Sequence, residues 1–378
     1  MPGFEIIDKK EKKAVNQLFS EGAVFIAHGL ANKRKKFHVR EFEKNCSNFF
    51  NSKYCLAVSS GTAAIKIALL SIGIKPGDEV ITQAFNFIAT IEAILDCGAT
   101  PIICNVDKTL NMDPKELESL ISKKTRAIIP VHMLGVAAEM NMIKKIAIRH
   151  KIRVIEDNCE AIGAKYMNNY LGTISDAGIF SFDYGKMITT GEGGMILTNK
   201  LKIDKFSREY HDHGHQNNPR LPRGKDSKKI YGFNYRMTEI QATIGKVQLK
   251  KLNFMLKQNY QRYALLEKEL IKKFELRLIP DNSVPTFDTF IFFVKDKILR
   301  KKIVDLLIAK KIGTKNLPDA IEWHCAYFWE HALSKKHIIH SKKTKKILET
   351  AIAIPIWLSK SKKQYSYIGK AIAKIKND

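Results

Sequence analysis

With 378 residues, of which 45% are hydrophobic and 27% charged, the chain has the size and composition of a soluble globular protein of two or three domains. No apolar stretch reaches 18 residues and the N-terminal sequence lacks the pattern of a signal peptide, so we expect no membrane insertion and a cytoplasmic location. The net charge of +26 is compatible with nucleic-acid binding, but only 12 of the 64 basic residues are Arg and the Lys residues are scattered, which favours a solvated surface without a nucleic-acid partner.

Between residues 55 and 200, short β-rich runs alternate with helical patterns, which is typical of an α/β domain around a largely parallel sheet. The predicted strands are residues 55–58, 79–82, 101–106, 127–131, 153–157, 177–182 and 194–198. The predicted helices are residues 63–71, 88–97, a helix that opens at Asp113-Pro114, and 140–150.

The character of the sequence changes after residue 200. Residues 210–235 are polar and rich in Gly, Pro, His and Arg, and irregular segments of this length are often functional. Residues 237–270 have the apolar spacing of a helix, and the remainder mixes short strands and helices. We therefore predict a large domain at residues 1–245 and a smaller C-terminal α/β domain at residues 246–378.

Two segments near the first strands are candidates for ligand binding. Ser60, Gly61 and Thr62 follow a strand and open a helix, where backbone N–H groups bind anions such as phosphate. Taken alone, they are explained more simply as a capped turn. Phe87 lies just beyond the next strand and could stack on a planar ring, although by itself it is more simply a core residue.

Two ionisable residues are candidates for chemistry. Asp157 ends an apolar strand, where the carboxyl ends of strands line ligand crevices; the alternative is a helix cap. Lys186 lies in a Gly-rich turn between two strands, and we expect shielding from solvent to lower its pKa and free its amine for Schiff-base formation. In a Lys-rich chain, the alternative is an ordinary surface lysine.

The order of these segments resembles the sugar aminotransferases of the DegT/DnrJ/EryC1/StrS family. The matching segments are Ser-Gly-Thr at 60–62, aromatic-x-Ala-Thr at 87–90, Glu-Asp at 156–157, Ser-Phe at 181–182, the lysine at 186, Gly-Glu-Gly-Gly at 191–194 and Gly-Phe-Asn-Tyr-Arg-Met-Thr-Glu at 232–239. The resemblance covers nearly the whole chain. It implies an α/β protein of the pyridoxal-phosphate (PLP)-dependent transferase fold type I, which is aspartate-aminotransferase-like, with a mixed, mostly parallel sheet in its large domain.

The resemblance also implies roles for the two candidate catalytic residues. Lys186 would hold the cofactor, pyridoxal 5′-phosphate, as a Schiff base. Asp157 would pair with the protonated pyridine nitrogen and so strengthen the electron sink of the ring. Phe87 would stack on that ring.

Further residues are implied to bind the cofactor phosphate. Gly61, Thr62 and Ser181 would contact it within one chain, with Ser60 beside them. Asn234 would reach it from the neighbouring subunit. The resemblance therefore implies a homodimer with shared active sites.

The implied reaction is transamination from an amino acid, glutamate by the resemblance, to a keto-sugar, with pyridoxamine 5′-phosphate formed midway. Residues 1–5, 131–133, 212–215 and Trp323-His324 are similar to transaminases that make 8-amino-3,8-dideoxy-manno-octulosonate. The substrate is thus either an 8-keto octulosonate or a nucleotide-linked keto-deoxy sugar, for lipopolysaccharide or surface-polysaccharide biosynthesis.

Glu160 departs from the common family pattern, which has His or Gln near the cofactor's phenolic oxygen. We expect Glu160 either to be protonated or to turn towards a basic neighbour, because an ionised carboxylate repels a phenolate. The segment around it resembles pyridoxamine-phosphate-dependent deoxysugar dehydratases, which is one alternative, but those enzymes carry His where this chain has Lys186. A second alternative, suggested by the charge, is a non-catalytic PLP-binding regulator.

Metal binding is not expected. His211, His213 and His215 form His-x-His-x-His, but no carboxylate-rich or Cys pattern accompanies them, so a polar active-site loop is the better interpretation. The six cysteines form no Cys-x-x-Cys pair and indicate reduced core residues rather than a disulfide framework or zinc site.

Overall fold

A computed structural model describes residues 3–218 and 220–375 of the chain; Met1 and Pro2 of the N-terminal motif lie outside them. The strands are β1 (Tyr54–Val58), β2 (Glu79–Gln83), β3 (Thr100–Cys104), β4 (Thr125–Ile129), β5 (Arg153–Asp157), β6 (Lys165–Tyr166), β7 (Asn169–Tyr170), β8 (Ala177–Ser181), β9 (Gly194–Thr198), β10 (Glu275–Leu276), β11 (Ser283–Val284), β12 (Thr289–Phe293) and β13 (Ala351–Pro355). The α-helices are α1 (Lys9–Ser20), α2 (His38–Phe50), α3 (Gly61–Ser71), α4 (Ala89–Asp96), α5 (Pro114–Leu117), α6 (Met140–Arg149), α7 (Leu201–Tyr210), α8 (Glu239–Leu270), α9 (Lys297–Ala309), α10 (Ile321–His324), α11 (Lys335–His340), α12 (Lys342–Leu348) and α13 (Lys362–Lys374).

The central element is a seven-stranded sheet in the order β1-β9-β8-β5-β4-β2-β3. From β8 to β3 every neighbouring pair is parallel, whereas β9 runs antiparallel to both β1 and β8. The short connection from β8 to β9 contains no crossover helix, which a parallel pair would need. The predicted α/β class with a mostly parallel sheet is therefore confirmed.

Alternation along the strands produces two cores. In β1, Leu56 and Val58 face the core that α3, α4 and α7 cover, while Cys55 and Ala57 face the core that contains residues of α2 and α8. Most strand residues of the large sheet are fully buried, as expected for a mostly parallel sheet that is covered on both faces. Because neighbouring strands from β8 to β3 are parallel, their carboxyl ends lie at the same end of the sheet.

A second sheet, in the order β10-β12-β13, is antiparallel and packs against α9 and α13 in a separate core. Helix α8 packs into two hydrophobic cores. Leu249 and Leu252 belong to a core under the large sheet, and Leu266 and Leu270 belong to the core of the smaller sheet. The helix runs unbroken through residue 245. The domain boundary predicted there remains a prediction.

Most predicted elements lie within a few residues of the observed ones. The helix predicted at 88–97 is α4, and the strand predicted at 101–106 is β3. Asp113 caps α5 as expected, since its carboxylate accepts a hydrogen bond from the Lys115 N–H at 3.0 Å. Across the described residues, no helix is both long and apolar enough to cross a membrane.

Candidate active site

A cavity of about 330 Å³ opens at the carboxyl edge of the large sheet. The residues predicted from the sequence that line it are Ser60, Gly61, Thr62, Phe87, Asp157, Glu160, Ser181 and Lys186. They follow β1, β2, β5 and β8, so the parallel strands bring them together from distant parts of the chain. The structure thus assembles eight predicted site residues in one place and leaves out Asn234.

The first turn of α3 forms one wall of the cavity. Ser60 is its N-cap, and its hydroxyl accepts a hydrogen bond from the Ala63 N–H at 3.1 Å. A Cβ atom at Gly61 would lie 3.0 Å from the Cβ of Ser181 and 3.1 Å from the Sγ of Cys159. Glycine therefore keeps this helix N-terminus open beside Ser181, where backbone N–H groups suit an anion.

Asp157 is buried, and hydrogen bonds fix both of its carboxylate oxygens. The Thr90 hydroxyl donates to Oδ2 at 2.9 Å, and the Cys159 N–H donates to Oδ1 at 3.0 Å. The residue that follows β4 holds its backbone, since the Asp157 N–H donates to the Pro130 carbonyl at 2.9 Å. The carboxylate thus has a fixed orientation in the cavity wall.

The neighbouring Glu156 anchors the same strand from its opposite face. This carboxylate is fully buried, and it accepts N–H hydrogen bonds at 2.8 Å from Gly172, Ile174 and Ser175. The Nε2 atom of His132 lies 3.4 Å from it. These contacts satisfy a carboxylate that would otherwise destabilise the core, and they hold the end of β5 that carries Asp157.

Lys186 and Glu160 form an ion pair inside the cavity, with Nζ and Oε1 3.8 Å apart. Burial by itself lowers the pKa of Lys186, but the carboxylates of Glu160 and Asp157 outweigh burial and raise that pKa above its ordinary value. The expectation that shielding lowers the pKa of Lys186 is therefore wrong, because the shielding groups include nearby negative charges.

Glu160 turns towards basic neighbours, the second of the two expected outcomes. Burial raises its pKa, but Lys186, Lys315 and His324 together lower it to about 2. The Leu134 N–H also donates to its Oε2 at 3.1 Å. Glu160 is therefore ionised at neutral pH, and its charge is directed at the lysine.

Asn234 lies outside the cavity of its own chain. Its side chain is exposed, and its Oδ1 accepts a weak hydrogen bond from the Arg236 N–H at 3.4 Å. The surrounding segment is held in place, because the Tyr235 carbonyl accepts a hydrogen bond from the Ser59 N–H at 2.8 Å. An ordered segment thus presents Asn234 to solvent.

The sequence model of the DegT/DnrJ/EryC1/StrS aminotransferase family matches residues 6–373 of the chain. The chain belongs to this family. Because the match spans the large sheet and every residue that lines the cavity, it covers all the elements that position the candidate residues.

Family relatives differ in their substrates. The chain is 43% identical over 216 residues to a GDP-perosamine synthase of Caulobacter vibrioides. This alignment covers 56% of each chain. The chain is 35% identical to a 3-oxo-glucose-6-phosphate:glutamate aminotransferase of Bacillus subtilis, which covers 64% of this chain and 52% of the relative. The aligned part thus spans only about half the length of each of these relatives.

The fold agrees with a solved aminotransferase structure. An aminotransferase from Psychrobacter cryohalolentis superposes with a TM-score of 0.85 at 25% identity, covering 97% of this chain and 96% of the other. The predicted PLP-dependent transferase fold of type I is therefore confirmed.

The sequence analysis assigned no role to His324, which lines the cavity, or to Lys315, whose charge acts on Glu160. His324 lines the cavity, 5.6 Å from Phe87 between ring centroids, and its Nδ1 donates to the Ala320 carbonyl at 2.8 Å. Burial lowers its pKa, which favours a neutral ring. Lys315 is buried against Asp288, with 2.9 Å between Nζ and Oδ2. Only the resemblance at Trp323-His324 pointed to this region, and nothing singled out Lys315.

The His-x-His-x-His segment does not gather ligands around a metal. His211 faces His28, with 3.5 Å between their Nε2 atoms, whereas His215 lies 3.3 Å from the carboxylate of Asp226. Burial lowers the pKa of His211 to about 4. Within residues 3–218 and 220–375, no group of three or more His, Cys, Asp or Glu side chains is placed to hold a metal ion.

Proposed function

We propose that the protein is a PLP-dependent aminotransferase that transfers an amino group from an amino acid, glutamate in our proposal, to a keto-sugar. The observation that carries this proposal is the meeting of a buried carboxylate, a partly buried lysine and an open helix N-terminus in one cavity, represented by Asp157, Lys186 and Gly61. These are the three groups that a phosphorylated pyridine aldehyde requires.

The residues of the cavity fit PLP in their chemistry. The first turn of α3, from Gly61 to Thr62, and the hydroxyl of Ser181 would hold the phosphate, because they offer N–H and O–H donors around a space that a Cβ atom would crowd. Asp157 would face the ring nitrogen and Phe87 the ring plane. Lys186 would hold the aldehyde carbon. When bound, this cofactor supplies an electron sink for the carbon that loses its proton.

The protein's own contribution to the reaction is to orient groups and move a proton. Asp157, which two hydrogen bonds orient, would accept a hydrogen bond from a ring N–H. Once released from the cofactor, the Nζ atom of Lys186 would take up and return the proton that the amino-acid donor loses. Glu160 directs that Nζ into the cavity.

The keto-sugar is proposed from the relatives, whose names include a GDP-perosamine synthase and a 3-oxo-glucose-6-phosphate:glutamate aminotransferase. The second name also supports glutamate as donor. We propose a nucleotide-linked keto-deoxy sugar or an 8-keto octulosonate as acceptor, for polysaccharide or lipopolysaccharide biosynthesis.

We also propose a homodimer in which each Asn234 completes the partner's cavity. The support is that Asn234 is exposed on an ordered segment and absent from its own cavity. The acceptors named above and this assembly are separate proposals, so the failure of one leaves the other standing.

The test is to mix purified protein with PLP and glutamate and to follow the absorption change to the pyridoxamine form. Conversion followed by amination of a member of a keto-sugar panel supports the proposal. No conversion with any amino acid would refute it. A product that has lost a hydroxyl without gaining nitrogen would instead indicate the dehydratase alternative.

A further inference from the structure

The N-terminal segment of the chain lies directly on the turn that carries Lys186. The ring of Phe4 stacks on that of Tyr184, with 4.9 Å between centroids and 8° between planes. Trp357 contacts the same Phe4 ring at 6.3 Å. Tyr184 is two residues from Lys186, inside a turn closed by the Lys186 N–H and the Asp183 carbonyl at 3.0 Å. Phe4 therefore packs against one side of the lysine turn.

The backbone of the segment is equally close to this turn. A Cβ atom added at Gly3 would clash with the carbonyl oxygen of Lys186 and lie 3.1 Å from that of Met187. Gly3 has an ordinary right-handed backbone conformation, with φ −56°. Glycine is therefore required here by space, since any side chain would push the segment off the turn.

The other end of the segment is anchored to two more elements. The carboxylate of Glu5 accepts hydrogen bonds from the Leu358 N–H at 2.9 Å and the Ser359 N–H at 3.2 Å, and also from the Ser359 hydroxyl. The Nζ of Lys251 in α8 donates to the Ile6 carbonyl at 2.5 Å. The segment thus joins the lysine turn to α8 and to the chain that follows β13.

We infer that Phe4 and Tyr184 are positioning residues that hold Lys186 within reach of the cofactor's aldehyde carbon. The inference rests on the proposed function. Lys186 condenses with the aldehyde, releasing water, and must return to the same position after each cycle. Its rate of attachment depends on where the turn places Nζ, because a displacement of about 1 Å of a reacting group costs about 100-fold.

The experiment measures the rate at which added PLP becomes attached to Lys186 in cofactor-free protein. Absorbance follows attachment, and borohydride reduction with peptide mass spectrometry identifies the modified lysine. We expect Phe4→Ala and Tyr184→Ala each to slow attachment by about tenfold, less than the cost of a full 1 Å displacement. Gly3→Ala should have the same effect because it displaces the segment.

Matched variants separate positioning from general destabilisation. Tyr260 is 53% exposed and packs against Phe287 at 5.0 Å, much as Tyr184 is 56% exposed and packs against Phe4. Tyr260→Ala should attach PLP at the wild-type rate. Phe4→Tyr keeps the stacked ring and should restore the rate to within about twofold, and thermal denaturation should show all variants folded at the assay temperature.

The outcomes distinguish the two proposals. If wild-type protein forms no adduct at Lys186, the proposed function fails and this inference falls with it. If wild-type protein forms the adduct and Phe4→Ala matches its rate, the positioning role is refuted while the proposed function stands. Equal slowing by Phe4→Ala and Tyr260→Ala, or no rescue by Phe4→Tyr, would also refute the positioning role.

Discussion

Replacing Glu160 with Gln removes the carboxylate that lies 3.8 Å from the Nζ of Lys186. That carboxylate is the largest influence that opposes burial and raises the pKa of Lys186. Without it, burial favours the neutral amine, so we expect the pKa of Lys186 to fall. Because the Glu160 carboxylate is turned towards basic neighbours, PLP affinity should be nearly unchanged by the same substitution.

The size of the attraction that Glu160→Gln removes follows from the distance between the two charges. At the 3.8 Å separation, two unit charges attract by about 4 kcal/mol at an effective dielectric constant of about 20, and by about 1 kcal/mol at about 80. Loss of this attraction removes stabilisation from the charged amine, so the pKa of Lys186 should fall in Glu160→Gln. Both side chains are mostly buried, so the lost attraction should exceed the lower of these two energies.

The assay is competitive labelling of cofactor-free protein with trace acetic anhydride over a range of pH, because only the neutral amine reacts. Mass spectrometry of the peptide that contains Lys186 gives the apparent pKa from the midpoint of labelling. Glu192→Gln is the matched control, since Glu192 lines the same cavity without lying within ion-pair distance of Lys186. An unchanged or higher pKa in Glu160→Gln, or an equal fall in the control, would refute the reasoning.

Three further changes test other parts of the site. Gly61→Ala should weaken PLP binding by about tenfold or more, since the added methyl crowds the proposed phosphate position; equilibrium dialysis that finds wild-type affinity would contradict this. Asp157→Asn should leave PLP attached while lowering kcat by about 100-fold or more, because a neutral amide no longer favours a protonated ring, and single-turnover kinetics with glutamate would measure it. If Lys186→Ala and Asn234→Ala are each inactive, an isolated mixed dimer should regain activity, because one of its two cavities then carries neither change; an inactive mixed dimer would place Asn234 in its own chain's function.

The sequence predicted the site residues whose chemical type and local backbone setting are both visible in a short stretch of chain. A small polar turn after a strand, a carboxylate at a strand end and a lysine in a Gly-rich turn follow from local rules, and the parallel sheet then brings Gly61, Asp157 and Lys186 into one cavity. The direction of the lysine's pKa did not follow, because it depends on Glu160, which reaches it through the fold rather than through sequence proximity.

The contributions of the C-terminal half were harder to predict. Lys315 and His324 approach the cavity only because the chain after β12 packs back against the large sheet, where the Asn86 N–H donates to the His324 carbonyl at 3.0 Å. No local pattern marks such residues, since their environment is set by packing between distant segments. The same holds for Phe4, whose stacking partner lies 180 residues away.

Helix α8 has a consequence for how the molecule unfolds. Its 32 residues span about 48 Å at about 1.5 Å per residue, and it supplies Leu252 to one hydrophobic core and Leu266 to the other. Both cores pack against the same helix. If one core loses its packing, the helix loses apolar contacts, and the other core depends on that helix. We therefore expect the two cores to unfold in one cooperative transition in which the cavity is lost as well.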